Sequence, residues 1–525
     1  MTTVRVLPRF RRAQHFTSPD FMILKRNLSV TVPLMNDRPL DKKIEYPRFI
    51  RDVKHGRYIS ATDLLRMNDR LKSGEKQSET VTLTGRIQSK RESSSKLVFY
   101  DIVHNGESVQ VVASRSRFSQ PDAFTATNLK VSRGDILRFT GVIGKTNHGQ
   151  ISLFASDLDV MTPCLHDIPK TNIRDPEKRF RQRYLDMLVN REPEALLRTR
   201  AKIVRYLRDF LDRRDFVEVE TPVLVANAGG ASAKPFTTKA NALSMELSLR
   251  IAPELFLKEL VIGGLDRVYE IGKQFRNEGI DADHNPEFTT CEFYQAYGNL
   301  DSLMDDTETL LSGMVKHITG NNSVEKNNET IRFDRPFARI DVTGYLDNHF
   351  GLQTDSVSSM DAKALKLLCI DNGIPIQHPF TEARILDKII STIIEPQCIQ
   401  PTFLFNHPLS LSPLAKDYYH NGNRVAARFE LFVGKKEIVN AYEELNDPAE
   451  QRLRFEQQQH DRQQGDFEAP APDMAFCEAL EYGLPPTAGW GMGIDRLVQL
   501  LTGKQHIREV ISFPLVRSLE NHHQK

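Results

Sequence analysis

The sequence predicts an α+β protein, in which a small five-stranded β-barrel of the OB type precedes a larger domain with an antiparallel sheet flanked by helices. Two observations lead there. Between residues 76 and 165, the segments VTLTGRI, KLVFYDI, SVQVVA, ILRFTGVI and QISLFA read as short strands separated by turns, and five such strands suit a Greek-key barrel. From residue 175 onward, strands alternate with helical patterns but lack the steady β–α–β rhythm of a parallel sheet. The 525 residues are enough for two or three domains around large cores.

In chain order, residues 1–40 form an extension, 41–75 a charged lead-in, 76–165 the barrel and 166–525 the large domain. The extension carries Arg5, Arg9, Arg11, Arg12, Lys25 and Arg26, and Asp20 is the one acid before residue 37. An Arg-rich, acid-poor, hydroxyl-bearing segment has the composition of an organelle import peptide, the alternative being a merely basic tail. Ala61–Lys72 is periodic and predicts a helix. The large domain opens with Leu196, Leu197, Ile203, Val204, Leu207, Phe210 and Leu211 at helical spacing. In FVEVETPVL, Val217 and Val219 alternate with Glu218 and Glu220 as in a strand, and Pro222, lacking an N–H, ends the pairing. Residues 316–332, rich in Asn and Lys, read as a surface loop.

Composition narrows the function. With a net charge of +1, the chain has no global attraction for nucleic acid, so any such contact is local. Cys164, Cys291, Cys369, Cys398 and Cys477 are scattered without a CxxC pair, which speaks against structural zinc or a disulfide framework. No apolar run approaches the length of a membrane span.

The chemistry concentrates in FRNEGIDADHNPEFTTCEFY, Phe275–Tyr294. Arg276 can grip a phosphate, Phe288 can cover a flat base, and Glu278 and Glu292 can bind amines. GWGMGIDR (Gly489–Arg496) adds a second arginine in a glycine-rich setting. A structural ion pair of Arg276 with Glu278 or Glu292 is the plain alternative. In FELFVGKKEIVNAYEEL, a two-residue turn at Gly434–Lys435 sets Glu437 opposite Phe432 and diagonal to Glu430 on one face. Two adjacent carboxylates call for a cation such as Mg²⁺, unless both are simply solvated. In the barrel, Phe99 and Gln110 fall on the faces opposite Val98, Tyr100 and Val111, so an outward aromatic and an outward amide can receive an unpaired base.

These motifs resemble class II lysyl-tRNA synthetases over roughly residues 80–515. The helix–strand–Pro unit ending in FVEVETPVL matches the family's first motif, Arg267–Tyr294 its second and GLPPTAGWGMGIDR its third. SPLAK (Ser412–Lys416) and NAYEELNDP (Asn440–Pro448) read the same way. The resemblance implies an ATP-dependent lysine–tRNA ligase, dimeric through the first motif, with ATP, Mg²⁺, L-lysine and tRNA(Lys) as its ligands. Arg276 would hold the α-phosphate and Arg496 the γ-phosphate of a bent ATP. Phe288 would stack on adenine, Glu278 would accept from its amino group, His284 would lie near the outer phosphates, and Asn285 and Glu430 complete the ATP set. Glu430 and Glu437 would hold magnesium. Glu254 and Glu444 would receive the side-chain amine of lysine, and Glu292 with the backbone of Gly230 the α-amino group. Asn440 would hold the carboxylate end, and Tyr294 and Tyr442 wall the apolar stem. Phe99 and Gln110 would read the central anticodon uridine.

The chain departs from the family at Gln150, where a glutamate that contributes to anticodon reading is common; the glutamine would still hydrogen-bond there, with a different pattern. The Lys-rich helical extension of animal and fungal cytosolic forms is replaced by the Arg-rich leader, which favours a mitochondrial form over a cytoplasmic one. A protein-lysylating paralogue would lack the barrel, and a catalytically dead relative would have lost Arg276, Arg496 or the paired glutamates. Glu437 and Asn440 have opposite strand parity, so both reach one site only through a bulge or local twist.

Overall fold

The computed structural model describes Tyr46 and residues 56–353 and 356–516, so the segment read as an import peptide lies outside the described residues. The chain divides between Ile168 and Pro169 into two units.

In the first unit, β1 (Arg57–Tyr58), β2 (Lys76–Ser94), β3 (Leu97–His104), β4 (Glu107–Ser114), β5 (Ile136–Lys145) and β6 (Ile151–Thr162) form one sheet in the order β1-β2-β3-β4-β6-β5. A further β2–β5 pairing closes five of these strands into a ring. Strand β2 is not short: its 19 residues span both neighbours, bending at register shifts between Ile87 and Ser89 and between Glu92 and Ser94. The β3–β4 turn places Asn105 and Gly106 at positive φ, 52° and 83°, as a two-residue hairpin requires. Val81, Leu83, Tyr100, Ile102, Val111, Leu137, Phe139 and Leu153 fill the interior. The lead-in helix is real but short, Ala61–Arg66, and buries Ala61 and Leu64 in the same core. Ser60 caps it, its hydroxyl accepting from the Asp63 N–H at 3.1 Å.

The second unit contains the long helix Glu192–Asp212, two-residue strands β7 (Val217–Glu218) and β8 (Leu224–Val225), then β9 (Thr237–Ala240) and β10 (Met245–Leu249). Next come β11 (Arg267–Phe275), β12 (Glu287–Ala296), β13 (Ser323–Lys326), β14 (Glu329–Arg332), β15 (Ala338–Asp341), β16 (Thr402–Pro408) and β17 (Asp417–His420). Strands β18 (Asn423–Val433), β19 (Lys436–Glu443) and β20 (Thr487–Gly493) complete the set. The main sheet runs β15-β16-β18-β19-β20-β12-β11-β7, with β17 beside β18. It is antiparallel except for the two end pairs, β15–β16 and β11–β7.

Alternation along these strands sorts side chains by face. Cys291 and Phe293 of β12, Trp490 and Met492 of β20, Val439 and Ala441 of β19, and Phe429 and Leu431 of β18 point into one core. Leu196, Ile203, Leu207, Phe210 and Leu211 of the long helix pack there too, together with the helix Leu300–Thr319. Phe293 stacks on Trp490 at 4.8 Å, and the Trp490 Nε1–H donates to Thr307 Oγ1 at 2.9 Å. The other sheet face is left for the site.

The reading of 316–332 as a loop is wrong. The helix continues to Thr319 and ends on Gly320 in the left-handed region. Strands β13 and β14 then form a hairpin whose turn residues Asn327 and Asn328 have φ of 52° and 63°. Val324, Ile331 and Phe333 are buried in the main core and Lys326 is buried as well, whereas Asn321, Asn322, Asn327 and Asn328 of the polar run are exposed as a loop reading expects.

Phe403 is fully buried and meets Phe429 edge-on at 5.0 Å. Phe403→Ala should cost about 3–5 kcal/mol by cavity formation. Urea unfolding followed by the emission of Trp490, the chain's single tryptophan, should show a lower midpoint.

Candidate active site

The face opposite the main core lines a cavity of about 790 Å³ within the second unit. Strand register builds its floor. One row across the sheet reads Glu430, Asn440, Gly491, Glu292, and the next reads Arg428, Tyr442, Gly489, Tyr294. Strand β20 thus runs through the centre with glycines facing the cavity. A Cβ on Gly489 would lie 2.6 Å from Tyr294 Cε1 and would clash with Glu444 Oε1, so only glycine fits there.

One end of the cavity sets two arginines, Arg276 and Arg496, among carboxylates. The Arg276 guanidinium lies 5.1 Å from the Phe288 ring centroid, and its Nε–H donates to the Ile251 carbonyl at 3.4 Å. Among the described residues it forms no close ion pair with Glu278 or Glu292, although its charge acts on both carboxyls through space. Arg496 Nη1 donates to the carbonyl and Oε2 of Glu437 at 3.1 and 3.3 Å. Its Nη2 donates to His284 Nε2 at 3.0 Å, which leaves the ring proton on Nδ1, 2.8 Å from Asp281 Oδ2. Glu278 lines the cavity, and burial raises its carboxyl although Arg276 opposes the shift. Asn285 lines it too, its Nδ2 donating to the Glu287 carbonyl while the buried Oδ1 has no partner.

Glu430 and Glu437 both line the cavity. The hairpin turns at Gly434 and Lys435, with φ of 60° and 65°. Glu437 pairs with Phe432, whereas Asn440 pairs with Glu430. The register shift between these pairs makes Ile438 an extra residue on β19, and this bulge brings Glu437 and Asn440 to one face. Two residues that sequence reasoning missed position Glu430. Arg428 Nη2 contacts its Oε1, and His407 Nε2 lies 3.2 Å from its Oε2. Burial works against the charge of Glu430, but Arg428 and His407 outweigh it and hold the carboxyl well below the usual range. Burial and the charge of Glu430 push the Glu437 carboxyl up. The signal for Arg428 was its strand parity with Glu430; His407 lies on another strand and carried none.

The other end is acidic. Glu254 begins the helix Glu254–Ile262, and its Oε1 accepts from Tyr442 OH at 2.6 Å. Gly230, at φ 83°, faces it: a side chain there would put Cβ 3.0 Å from Glu254 Cβ. Glu292 is buried and has only long contacts, with Thr290 Oγ1 at 3.5 Å and Tyr294 OH at 3.4 Å. Glu444 is fully buried behind Gly489 and Tyr294 and meets Lys258, a further residue that sequence reasoning missed. Gly230, Glu254, Glu292, Tyr294, Asn440 and Tyr442 line the cavity, with Glu444 just behind the wall.

In the barrel, Phe99 and Gln110 do lie on the outer face, since the alternating Val98, Tyr100, Val109 and Val111 are interior. They are diagonal neighbours, Phe99 pairing with Val112 and Gln110 with Asp101. The expectation of an exposed pair needs correcting. Phe99 is half-buried, with the Arg91 guanidinium 6.0 Å from its ring, and Gln110 is buried. The parallel β4–β6 pairing sets Ser152 beside Gln110, whose Oε1 accepts from the Ser152 hydroxyl at 3.1 Å. Gln150 is exposed just before β6.

A family model described as class II tRNA synthetases (D, K and N) matches residues 175–517. The chain belongs to this family. An OB-fold nucleic acid binding domain model matches residues 81–161, so the synthetase carries its barrel ahead of its catalytic-type domain. The chain is 47% identical over 476 residues to a lysine–tRNA ligase of Cladosporium cladosporioides, covering 87% of this synthetase and 79% of that protein. It is 41% identical over 449 residues to the mitochondrial lysine–tRNA ligase of Schizosaccharomyces pombe, covering 83% and 84%. The lysine–tRNA ligase of Listeria monocytogenes is 42% identical over 439 residues, covering 83% and 87%.

Burial, reinforced by the charge of Glu254 and opposed by Arg276, pushes the Glu292 carboxyl of this synthetase up to about 8. From its ordinary value of 4.5 to about 8, the folded state therefore holds a proton that the unfolded chain releases. Stability should fall as pH rises through that window. Glu292→Gln should flatten the slope in thermal melts of the ligand-free protein; an unaltered slope would place the proton elsewhere.

Proposed function

We propose that this synthetase activates L-lysine with ATP and transfers it to the 3′ end of tRNA(Lys). The observation that carries the reading is one cavity with two arginines and an aromatic ring at one end and a carboxylate-lined recess at the other. The substrate carboxylate attacks the α-phosphate of ATP, so two anions must approach. The site therefore needs fixed cations rather than a base, because a carboxylate is already nucleophilic at neutral pH. Arg276, which has no close carboxylate partner among the described residues, takes the α-phosphate, and Phe288 and Glu278 receive the adenine. Arg496 holds the γ-phosphate, with His284 beside it and Asn285 on the same wall. At the other end, Glu292 and the Gly230 backbone take the α-ammonium, Asn440 the carboxylate, and Glu254 the side-chain ammonium, with the charge of Glu444 acting from just behind the wall. Tyr294 and Tyr442 enclose the methylenes between them.

The close approach of Glu430 and Glu437, with the second held protonated more readily by the charge of the first, fits a divalent cation shared with phosphate oxygens. Bound Mg²⁺ would neutralise the outer phosphates and the departing pyrophosphate. The barrel would take the anticodon, with Phe99 as a stacking surface and Gln110 and Gln150 as hydrogen-bonding groups; Gln110 must be uncovered for that role. Exposed Val217, Val223 and Leu224 around the first motif support a homodimer there. Relatives named for the mitochondrion, the cytoplasm and bacteria all match, so the mitochondrial matrix is proposed on the Arg-rich leader alone, with the cytoplasm as the alternative. Among the described residues, no helix is long and apolar enough to cross a membrane.

Lysine-dependent ATP–pyrophosphate exchange is the direct test. Exchange with aspartate or asparagine in place of lysine would overturn the specificity. Arg276→Ala should lower exchange by about 10³-fold or more with an unchanged melting profile. Charging of mitochondrial against cytosolic tRNA pools by the purified protein then bears on the acceptor and the compartment.

A further inference from the structure

The proposed reaction leaves one buried charge unused. Lys258 lies one turn beyond Glu254 on the helix Glu254–Ile262 and is fully buried. Its Nζ donates to Glu254 Oε1 at 2.6 Å and contacts Glu444 Oε2. The ring centroids of Tyr442 and Phe476 lie 5.7 and 5.6 Å from it. Glu254 Oε1 is thus taken twice, by Lys258 and by Tyr442. Its Oε2 has no hydrogen bond from the described residues, and Glu254 lines the cavity. Glu444 does not reach the cavity wall.

Two buried carboxylates and one incoming ammonium do not balance. A surplus negative charge in a buried recess either costs several kcal/mol or is quenched by a proton. We propose that Lys258 is a specificity-determining residue: a built-in counter-cation that neutralises one of the two receptor carboxylates. The recess then presents a single net negative charge through Glu254. Burial works against the charge of Lys258, but Glu254 and Glu444 outweigh it and raise its pKa, so the ammonium persists at neutral pH. Burial pushes the Glu444 carboxyl well up and Glu254 adds to that shift, while Lys258 opposes it, so the lysine is the group that favours the charged form of Glu444. A substrate with one terminal ammonium completes the balance. A neutral side chain leaves a lone buried charge, and an acidic one doubles it. Without Lys258, Glu254 and Glu444 repel, one binds a proton, and the substrate ammonium must displace it. The inference rests on the reading of this recess as a lysine site.

Lysine-dependent exchange by the full chain tests it in four proteins: wild type, Lys258→Met, Glu444→Gln and the double variant. The KM for lysine should rise about tenfold in Lys258→Met and about a hundredfold in Glu444→Gln, whose recess is neutral overall, with the KM for ATP within about twofold. The double variant restores the single net negative charge and should recover about tenfold relative to Glu444→Gln alone. A merely structural lysine would give additive losses, and additivity would overturn the assignment, as would an unchanged lysine KM in Lys258→Met. If Lys258→Met does not fold, the comparison of Glu444→Gln with the double variant decides, because the double variant buries no surplus charge. Wild-type protein without lysine-dependent exchange would overturn the lysine reading itself, and this inference with it.

Discussion

Strand β20 lies at the middle of the main sheet and, beyond Thr487, offers side chains to one face only. Trp490 and Met492 are packed into the core, while Gly489, Gly491 and Gly493 leave the opposite face bare. The arrangement depends on the pleat. A two-residue period sends large apolar groups into the core and no atoms into the site, so the cavity floor is made of backbone. Polar groups on the flanking strands, Glu292 and Tyr294 on one side and Asn440 and Tyr442 on the other, can then face a common space. Because the core face is rigidly packed around the Phe293–Trp490 stack, the site inherits its rigidity.

Charges of both signs line that floor. Arg276 and Arg496 stand at one end, and Glu254, Glu292 and Glu444 at the other. Each end is held by groups that do not enter the chemistry directly: Asp281 orients His284 beside Arg496, Arg428 and His407 hold Glu430, and Lys258 bridges Glu254 and Glu444. The bulge at Ile438 joins the two ends. Without the extra residue, Glu437 and Asn440 would face opposite sides of β19, and either the carboxylate pair or the amide would be lost to the core.

Much of this was legible in the sequence because strand parity and turn chemistry are local. The Asn105–Gly106 turn follows from residues that tolerate positive φ and the Gly434–Lys435 turn from its glycine, and the barrel faces follow from alternation in KLVFYDI. The misreading of 316–332 has the same root: its composition shows the solvent side of a hairpin, whereas Val324 and Ile331, the residues that anchor it, are outnumbered. The burial of Gln110 was not legible, because it depends on a parallel partner strand some forty residues away in the chain.

The sequence by itself determined most of the element types and the order of barrel and synthetase domain, and it singled out the residues proposed to handle nucleotide and amine, since these rest on periodicity and side-chain chemistry. Only the tertiary structure decided which charges meet. Lys258 is four residues from Glu254 but 186 from Glu444, and their three-way contact exists because the helix Glu254–Ile262 packs on β11 and β12 beside the segment that follows β19. The physical reason is that a buried ion pair is a property of the packed interior. Its partners are selected by desolvation and geometry after the sheet has formed, and no local pattern along the chain encodes them.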